Sequence, residues 1–252
     1  MKTFFRFMRA DFQKIRHTPM LWIHIVVPIL TVTVFLSYYS FSTGSSIGKV
    51  EGYMEALSIA FPLLIGILSA MAVEQEASAG HFQELLIAKY KLMSFFSKVC
   101  MLLLLGFGSL FITVGGFAFG FKFLLHQNLF SSNFYGKMIL ILFFSQIFLY
   151  LLHILCSFRF GSGASIGLGI AESLIAALML TGLGDGKWMW IPCGWGVRFS
   201  DYYILLNTTN NSGISIFKKE IESGALICFV MTVLLLLSSF IWFHYFEGRN
   251  ED

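Results

Sequence analysis

The sequence predicts an all-α, polytopic membrane protein with six transmembrane helices, and three observations lead there. Of the 252 residues, 57% are hydrophobic and only 12% charged, with a mean hydropathy of +0.77. A typical soluble domain carries roughly 25% charged residues, so these charges cannot coat a water-soluble globule. Six stretches, at about 20–41, 53–73, 99–121, 136–157, 164–183 and 224–246, meet or approach the length a spanning helix needs, which is about 20 apolar residues. Alternating strand patterns are absent, and only helices or closed barrels satisfy their own backbone inside a bilayer. The expected layout is an interfacial helix at 1–19, a transmembrane domain at 20–246 with a cytoplasmic loop at 74–98 and an external segment at 185–223, and a tail at 247–252.

Residues 1–19 interleave Lys2, Arg6, Arg9, Lys14 and Arg16 with Phe4, Phe5, Phe7, Met8, Phe12 and Ile15. A basic amphipathic helix of this kind lies in the headgroup plane, its phenylalanines towards the acyl chains and its cations towards anionic lipid. The loops predicted on the same side add Lys89, Lys91, Lys98, Arg159 and Arg249, so ten of the seventeen basic residues fall on one side. That excess, weighted to the first span, puts both termini in the cytoplasm. The first apolar run is too long for the core of a signal peptide; it reads as a membrane helix entered after Pro19 and bent near Pro28.

Between the second and third spans lies a polar island, residues 74–98, with Glu74, Glu76, Glu84, Lys89, Lys91, Lys98 and a break at Gly80. From His81 to Tyr90 the pattern predicts a short amphipathic helix with Phe82, Leu85 and Leu86 on one face and His81, Glu84 and Lys89 around the rest. Ser94 is placed to cap the following span. Two readings stand side by side: a connector that is polar only because loops are, or a shaped surface offered to an aqueous partner.

The second span contains Pro62 and Gly66, and the third ends in a G-x-x-x-G pair at Gly116 and Gly120. Small faces of this kind let helices approach closely in lipid. Gln146 and His153 in the fourth span sit two turns apart on one face. The fifth span offers two small pairs, Gly163/Gly167 and Ser165/Gly169, and places Glu172 near mid-membrane. Central charges cost roughly 2.5 to 3.5 kcal/mol on insertion scales. Glu172 is therefore expected to face a neighbouring helix or a cavity, or to be protonated, as a structural hydrogen bonder or as part of a translocation route.

The excursion from Asp185 to Ser223 gathers Trp188, Trp190, Trp195, Phe199, Tyr202 and Tyr203. Such density fits an aromatic belt at the membrane surface or a ledge that meets an amphipathic substrate.

Several chemistries are excluded. Cys100, Cys156, Cys193 and Cys228 show no paired spacing, against a disulfide framework or a zinc site. A net charge of +3 implies no nucleic-acid surface. Around Gly182–Trp188 the sequence has a G-K, but Thr181 replaces the first glycine of a phosphate loop and Trp188 its Ser or Thr. Glu172 with His153 is the one candidate acid–base pair for an intramembrane enzyme, and a single intramembrane charge without a clear repeat argues against an ion-coupled carrier.

Two segments carry a family resemblance: E-Q-E-A-S-A-G-H-F-Q-E-L-L at 74–86, with a lysine opening the next span, and G-L-G-D-G-K-W-M-W-I-P-C-G-W-G-V-R at 182–198. The first resembles the first cytoplasmic loop of ABC-2-type permeases, the membrane subunits of one class of ABC exporters, and both are similar to lantibiotic-immunity permeases of the MutG type. The resemblance implies that Glu74, Glu76, Gly80, His81, Phe82, Glu84, Leu85, Leu86 and Lys89 form a coupling helix docked on a separate, dimeric ATPase. It implies that ATP and Mg²⁺ are used by that partner, with no cofactor in this chain. It further implies pairing with a second, different permease chain in a bacterial plasma membrane, removal of a lantibiotic peptide to the outside, and short re-entrant or external helices before the last span. Glu172, Trp188, Trp190, Trp195 and Arg198 are the substrate-path candidates. Export of another peptide, a lipid or a drug is the alternative.

Overall fold

A computed structural model describes residues 2–16, 18–208 and 214–249; the ends of the expected tail and part of the 185–223 segment lie outside the described residues. Nine helices are described: α1 (Lys2–Ile15), α2 (Pro19–Phe41), α3 (Ser46–Ser78), α4 (Gln83–Leu86), α5 (Lys91–Phe123), α6 (Ser132–Phe160), α7 (Ser162–Met179), α8 (Trp195–Thr208) and α9 (Ile214–His244). No strand occurs among the described residues. Six helices, α2, α3, α5, α6, α7 and α9, are long and apolar enough to cross a membrane.

The helices run past the apolar stretches wherever nothing stops the backbone ladder. The second span, expected at 53–73, becomes Ser46–Ser78, opened by Ser45, whose side chain accepts from the Gly48 N–H. The fifth is shorter than expected, ending at Met179. Three single 3₁₀ turns follow it before α8, and α8 folds back against α3 and α6. Only Gly161, at φ +88°, separates α6 from α7, a left-handed position that glycine takes at no steric cost.

The apolar interior cannot hydrate a freed backbone group, so neighbouring side chains reach several backbone groups beside the irregularities in the spans. Pro28 has no N–H for the carbonyl of His24; the Ser109 hydroxyl donates to it at 2.9 Å. A π-bulge interrupts α5 at Phe111–Gly115, and the Tyr53 hydroxyl donates to the Thr113 carbonyl there at 3.1 Å. Beside Pro62, the Leu63 N–H donates to Ser173 Oγ at 3.3 Å.

Helix α3 is central, packing on α6, α7 and α8, whereas α2 and α9 lie at the periphery with most of their surface unburied. Of the two small pairs in α7, Ser165/Gly169 makes the close approach. A Cβ on Gly169 would lie 2.8 Å from the Pro62 carbonyl oxygen, and one on Gly66 2.8 Å from the Ser165 carbonyl oxygen. Gly163 and Gly167 have no heavy atom within 4 Å of a Cβ position, because they lie on the opposite face. In α5, Gly116 and Gly120 receive Val32 and Leu36 of α2.

Candidate functional site

The chain leaves α3 through three consecutive residues with positive φ: Gly80 (129°), His81 (50°) and Phe82 (65°). Left-handed backbone costs about 1–2 kcal/mol for a residue with a Cβ, so burial has to hold it. Phe82 is buried, its ring 5.7 Å from those of Phe158 and Phe246, and the Arg249 guanidinium lies 5.8 Å from its centroid. The amphipathic helix expected over His81–Tyr90 is accordingly reduced to the single turn Gln83–Leu86. Left-handed residues end helical geometry at its start, and α5 begins at Lys91 after Tyr90. Ser94 is buried one turn inside α5 and caps nothing. Phe82 and Leu85 point inward, Leu86 is half-buried, and His81, Gln83, Glu84, Ile87, Lys89 and Tyr90 are exposed.

Beneath this turn lies a charge cluster that ties four elements together. Glu76, only 3% exposed, accepts from Lys98 at 2.8 Å and from Lys14 at 3.0 Å. Lys14 also reaches Glu84 at 3.0 Å, and Lys98, 1% exposed, lies 3.6 Å from Asp11. Ser97 donates to Asp11, and Gln75 donates to the Lys14 carbonyl at 2.9 Å. Burial pushes the Asp11 carboxyl above its ordinary value, with Lys98 and Ser97 opposing. Burial alone would lower the Lys14 ammonium, but Glu84 and Glu76 carry it above its ordinary value. On the other flank, Arg249 pairs with Glu74 at 3.0 Å and donates to the Ser157 carbonyl at 3.3 Å, while Lys91 donates to the carbonyls of His244 and Phe246. The turn is therefore gripped by α1, α5, α6 and the segment after α9.

Sequence reasoning missed Asp11, Lys14 and Lys98 as members of this cluster. Helix α1 carries one acid among its cations, and that lone Asp11 was the available signal that one side of α1 packs on protein. Asp11 and Ile15 are indeed buried against the bundle.

A family model described as ABC-2 family transporter protein matches residues 7–178, more than half of the chain. The chain belongs to that family. No curated protein and no solved structure matches it. It is thus the membrane subunit of a transporter, a multi-pass protein whose family implies an ATPase partner.

Within the ABC-2 permease, the other candidate residues fall in two places. In mid-bundle, His153 Nε2 meets Glu172 Oε2 at 2.8 Å and His153 Nδ1 meets Ser165 Oγ at 3.1 Å, while that hydroxyl lies 3.1 Å from the Gly66 carbonyl oxygen. Glu172 thus faces a neighbouring helix, and a chain of hydrogen bonds links α7, α6 and α3. Gln146, on the same face of α6, is buried and stands apart from it. Replacing Glu172 by leucine strands a ring nitrogen of His153, whose residue exposure is 0%, at an expected cost of about 1–3 kcal/mol in thermal unfolding. Glutamine keeps a partner for that nitrogen and is expected to recover most of the loss.

At the end of the bundle remote from the 80–90 turn, Trp188 and Trp195 are completely buried, whereas Trp190 is 66% exposed. The indole of Trp195 donates to the Met189 carbonyl at 2.8 Å. Arg198 donates to the carbonyls of Met179 and Thr181 and pairs with Asp185 at 2.8 Å. The Met179 carbonyl is left over where α7 ends, while that of Thr181 also accepts from the Gly184 N–H at 2.9 Å; a cation there satisfies the free carbonyl and the helix dipole. Among the substrate-path candidates at this end, Trp190 alone presents its side chain outward; the buried three hold the short turns against the bundle.

Proposed function

We propose that this permease is half of an ABC exporter, set in a bacterial plasma membrane with both termini cytoplasmic, that moves a lantibiotic-like cationic amphipathic peptide outward to protect its host. The observation that carries the coupling half of this reading is the turn at 80–90. Its inward side is locked by Phe82, Leu85 and the Glu76 cluster, and its outward side offers Gln83, Glu84, Ile87, Lys89 and Tyr90. Ile87 is 82% exposed, with exposed Glu84 and Lys89 within one turn of it in sequence, an apolar anchor with charged groups close by, as suits a docking surface. A dimeric ATPase holding ATP and Mg²⁺ would seat there, and a second permease chain would complete the membrane domain.

The peptide half rests on the resemblance of 74–86 and 182–198 to lantibiotic-immunity permeases, and on chemistry. A cationic amphipathic peptide partitions at the outer leaflet, and exposed Trp190 stands at the end of the bundle remote from the coupling turn. Reconstituting the chain with its ATPase and partner permease tests it directly. A lantibiotic is expected to stimulate ATP hydrolysis several-fold, and a neutral lipid or drug is not; stimulation by the drug alone would assign the machine a different cargo.

A further inference from the structure

An open apolar cavity of about 600 Å³ runs between α6, α8 and α9, walled by Phe144, Phe199, Leu206, Phe229, Val233 and Leu236 among others. Of the three hydroxyls in its wall, those of Ser145, Thr232 and Tyr203, two are already committed: Ser145 donates to the Leu142 carbonyl at 2.8 Å and Thr232 to that of Cys228 at 2.7 Å. What fills it is hydrocarbon over most of its length, because apart from the Tyr203 hydroxyl a polar group placed there would find almost nothing to bond. From Ile221 to Leu236 the α9 wall is about 22 Å long at 1.5 Å per residue, which exceeds the roughly 15 Å half-thickness of a bilayer core. The groove therefore accommodates an acyl chain of one leaflet.

Charge marks its mouth. Helices α6 and α9 both start at the end remote from the coupling turn, and each carries a lysine just above the groove. Lys137 precedes Leu140 and Ile141 by one turn on α6, and Lys218 precedes Ile221 and Ala225 by one and two turns on α9, spacings that keep each lysine on the groove face. Both are exposed, and neither has an ion-pair partner among the described residues. Of the two acids nearby on α9, Glu220 accepts from the Tyr202 hydroxyl at 2.8 Å, and Glu222 is exposed one turn after Lys218 on the same side of the helix without an ion pair to it.

We propose that this groove binds an acyl chain of an anionic glycerophospholipid whose phosphate is met by Lys137 and Lys218. The lipid is a structural ligand of the permease, and its binding is independent of which cargo is exported. The phosphate supplies the counter-charge both lysines lack, and the chain covers an apolar channel between three helices.

The test uses the full chain in detergent, stripped of lipid and then mixed with phosphatidylglycerol or phosphatidylcholine of equal chain length, with retained lipid counted by native mass spectrometry. Retention of phosphatidylglycerol is expected to exceed that of phosphatidylcholine on the order of ten-fold, given the attraction of two lysines near an anionic headgroup. Joint substitution K137Q and K218Q is expected to equalise the two lipids while both still bind, and Ala225→Trp to reduce both by filling the groove. Equal retention by the unaltered chain overturns the proposal, as does a preference that survives the double lysine change. So does efficient disulfide cross-linking of two copies through Phe229→Cys with lipid displaced, which would give the groove to a second chain.

Discussion

Replacing Glu76 by glutamine is expected to destabilise the permease by about 3–5 kcal/mol, the range for removing one partner of a buried ion pair. Lys98 is 1% exposed and would keep only Asp11, 3.6 Å away, in place of a carboxylate at 2.8 Å. Asp11 is a weak substitute, since burial favours its neutral form. Lys14 keeps Glu84 and loses less. The attraction within a buried pair does little more than offset its own desolvation, so removing both charges costs far less than removing one. Glu76→Gln combined with Lys98→Met, which leaves Asp11 to the Ser97 hydroxyl in the neutral form that burial favours, is therefore expected to regain part of the stability lost in the single variant. Thermal unfolding in detergent measures both, and a double variant as unstable as the single would show that the cluster is not a closed charge set.

Replacing Gly169 by valine is expected to cost about 3 kcal/mol or more, at the upper end for overpacking. The new Cβ would meet the Pro62 carbonyl oxygen at 2.8 Å and Leu63 Cα at 2.9 Å. Both are backbone atoms of the central helix, which cannot swing aside as a side-chain tip can. Helix α7 would have to lift from α3, taking with it the Ser173–Leu63, Ser165–Gly66 and Glu172–His153 hydrogen bonds. Gly167→Ala, on the opposite face with open space around it, is the control and is expected to change stability by no more than about 0.5 kcal/mol. The folded fraction eluting as a single species from size exclusion distinguishes them; equal yields would contradict the described α3–α7 contact.

Much of the architecture was legible because a bilayer imposes one simple demand, apolar length, which the sequence states six times. The break at Gly80 and the inward pair Phe82/Leu85 were legible for a related reason, since a glycine and an amphipathic pattern are local signals. The shortened helix after Gly80 was not. Hydrophobic spacing at 82, 85 and 86 fits ten helical residues as well as four, and nothing in periodicity reports that His81 and Phe82 turn left-handed. Residues 11, 14, 76 and 98 come together only through tertiary packing of α1 on α5, so their charges looked like ordinary interfacial ones. At the other end, composition marked an aromatic segment but could not say which rings face lipid. Trp188 and Trp195 turn inward because three short 3₁₀ turns fold α8 back on the bundle, and Arg198 follows them to the carbonyls of Met179 and Thr181 where α7 ends.

The central claim is that the exposed rim of the 80–90 turn is where the ATPase holds on. Ile87→Asp together with Lys89→Glu alters only exposed side chains, so the fold should be untouched. The decisive measurement is quantitative co-purification of the ATPase with the membrane-embedded chain, with unfolding temperature recorded on the same sample. The expected result is a drop in bound ATPase on the order of ten-fold or more, consistent with losing an apolar anchor from an interface core, at an unchanged unfolding temperature. Undiminished ATPase on the altered chain would contradict the account.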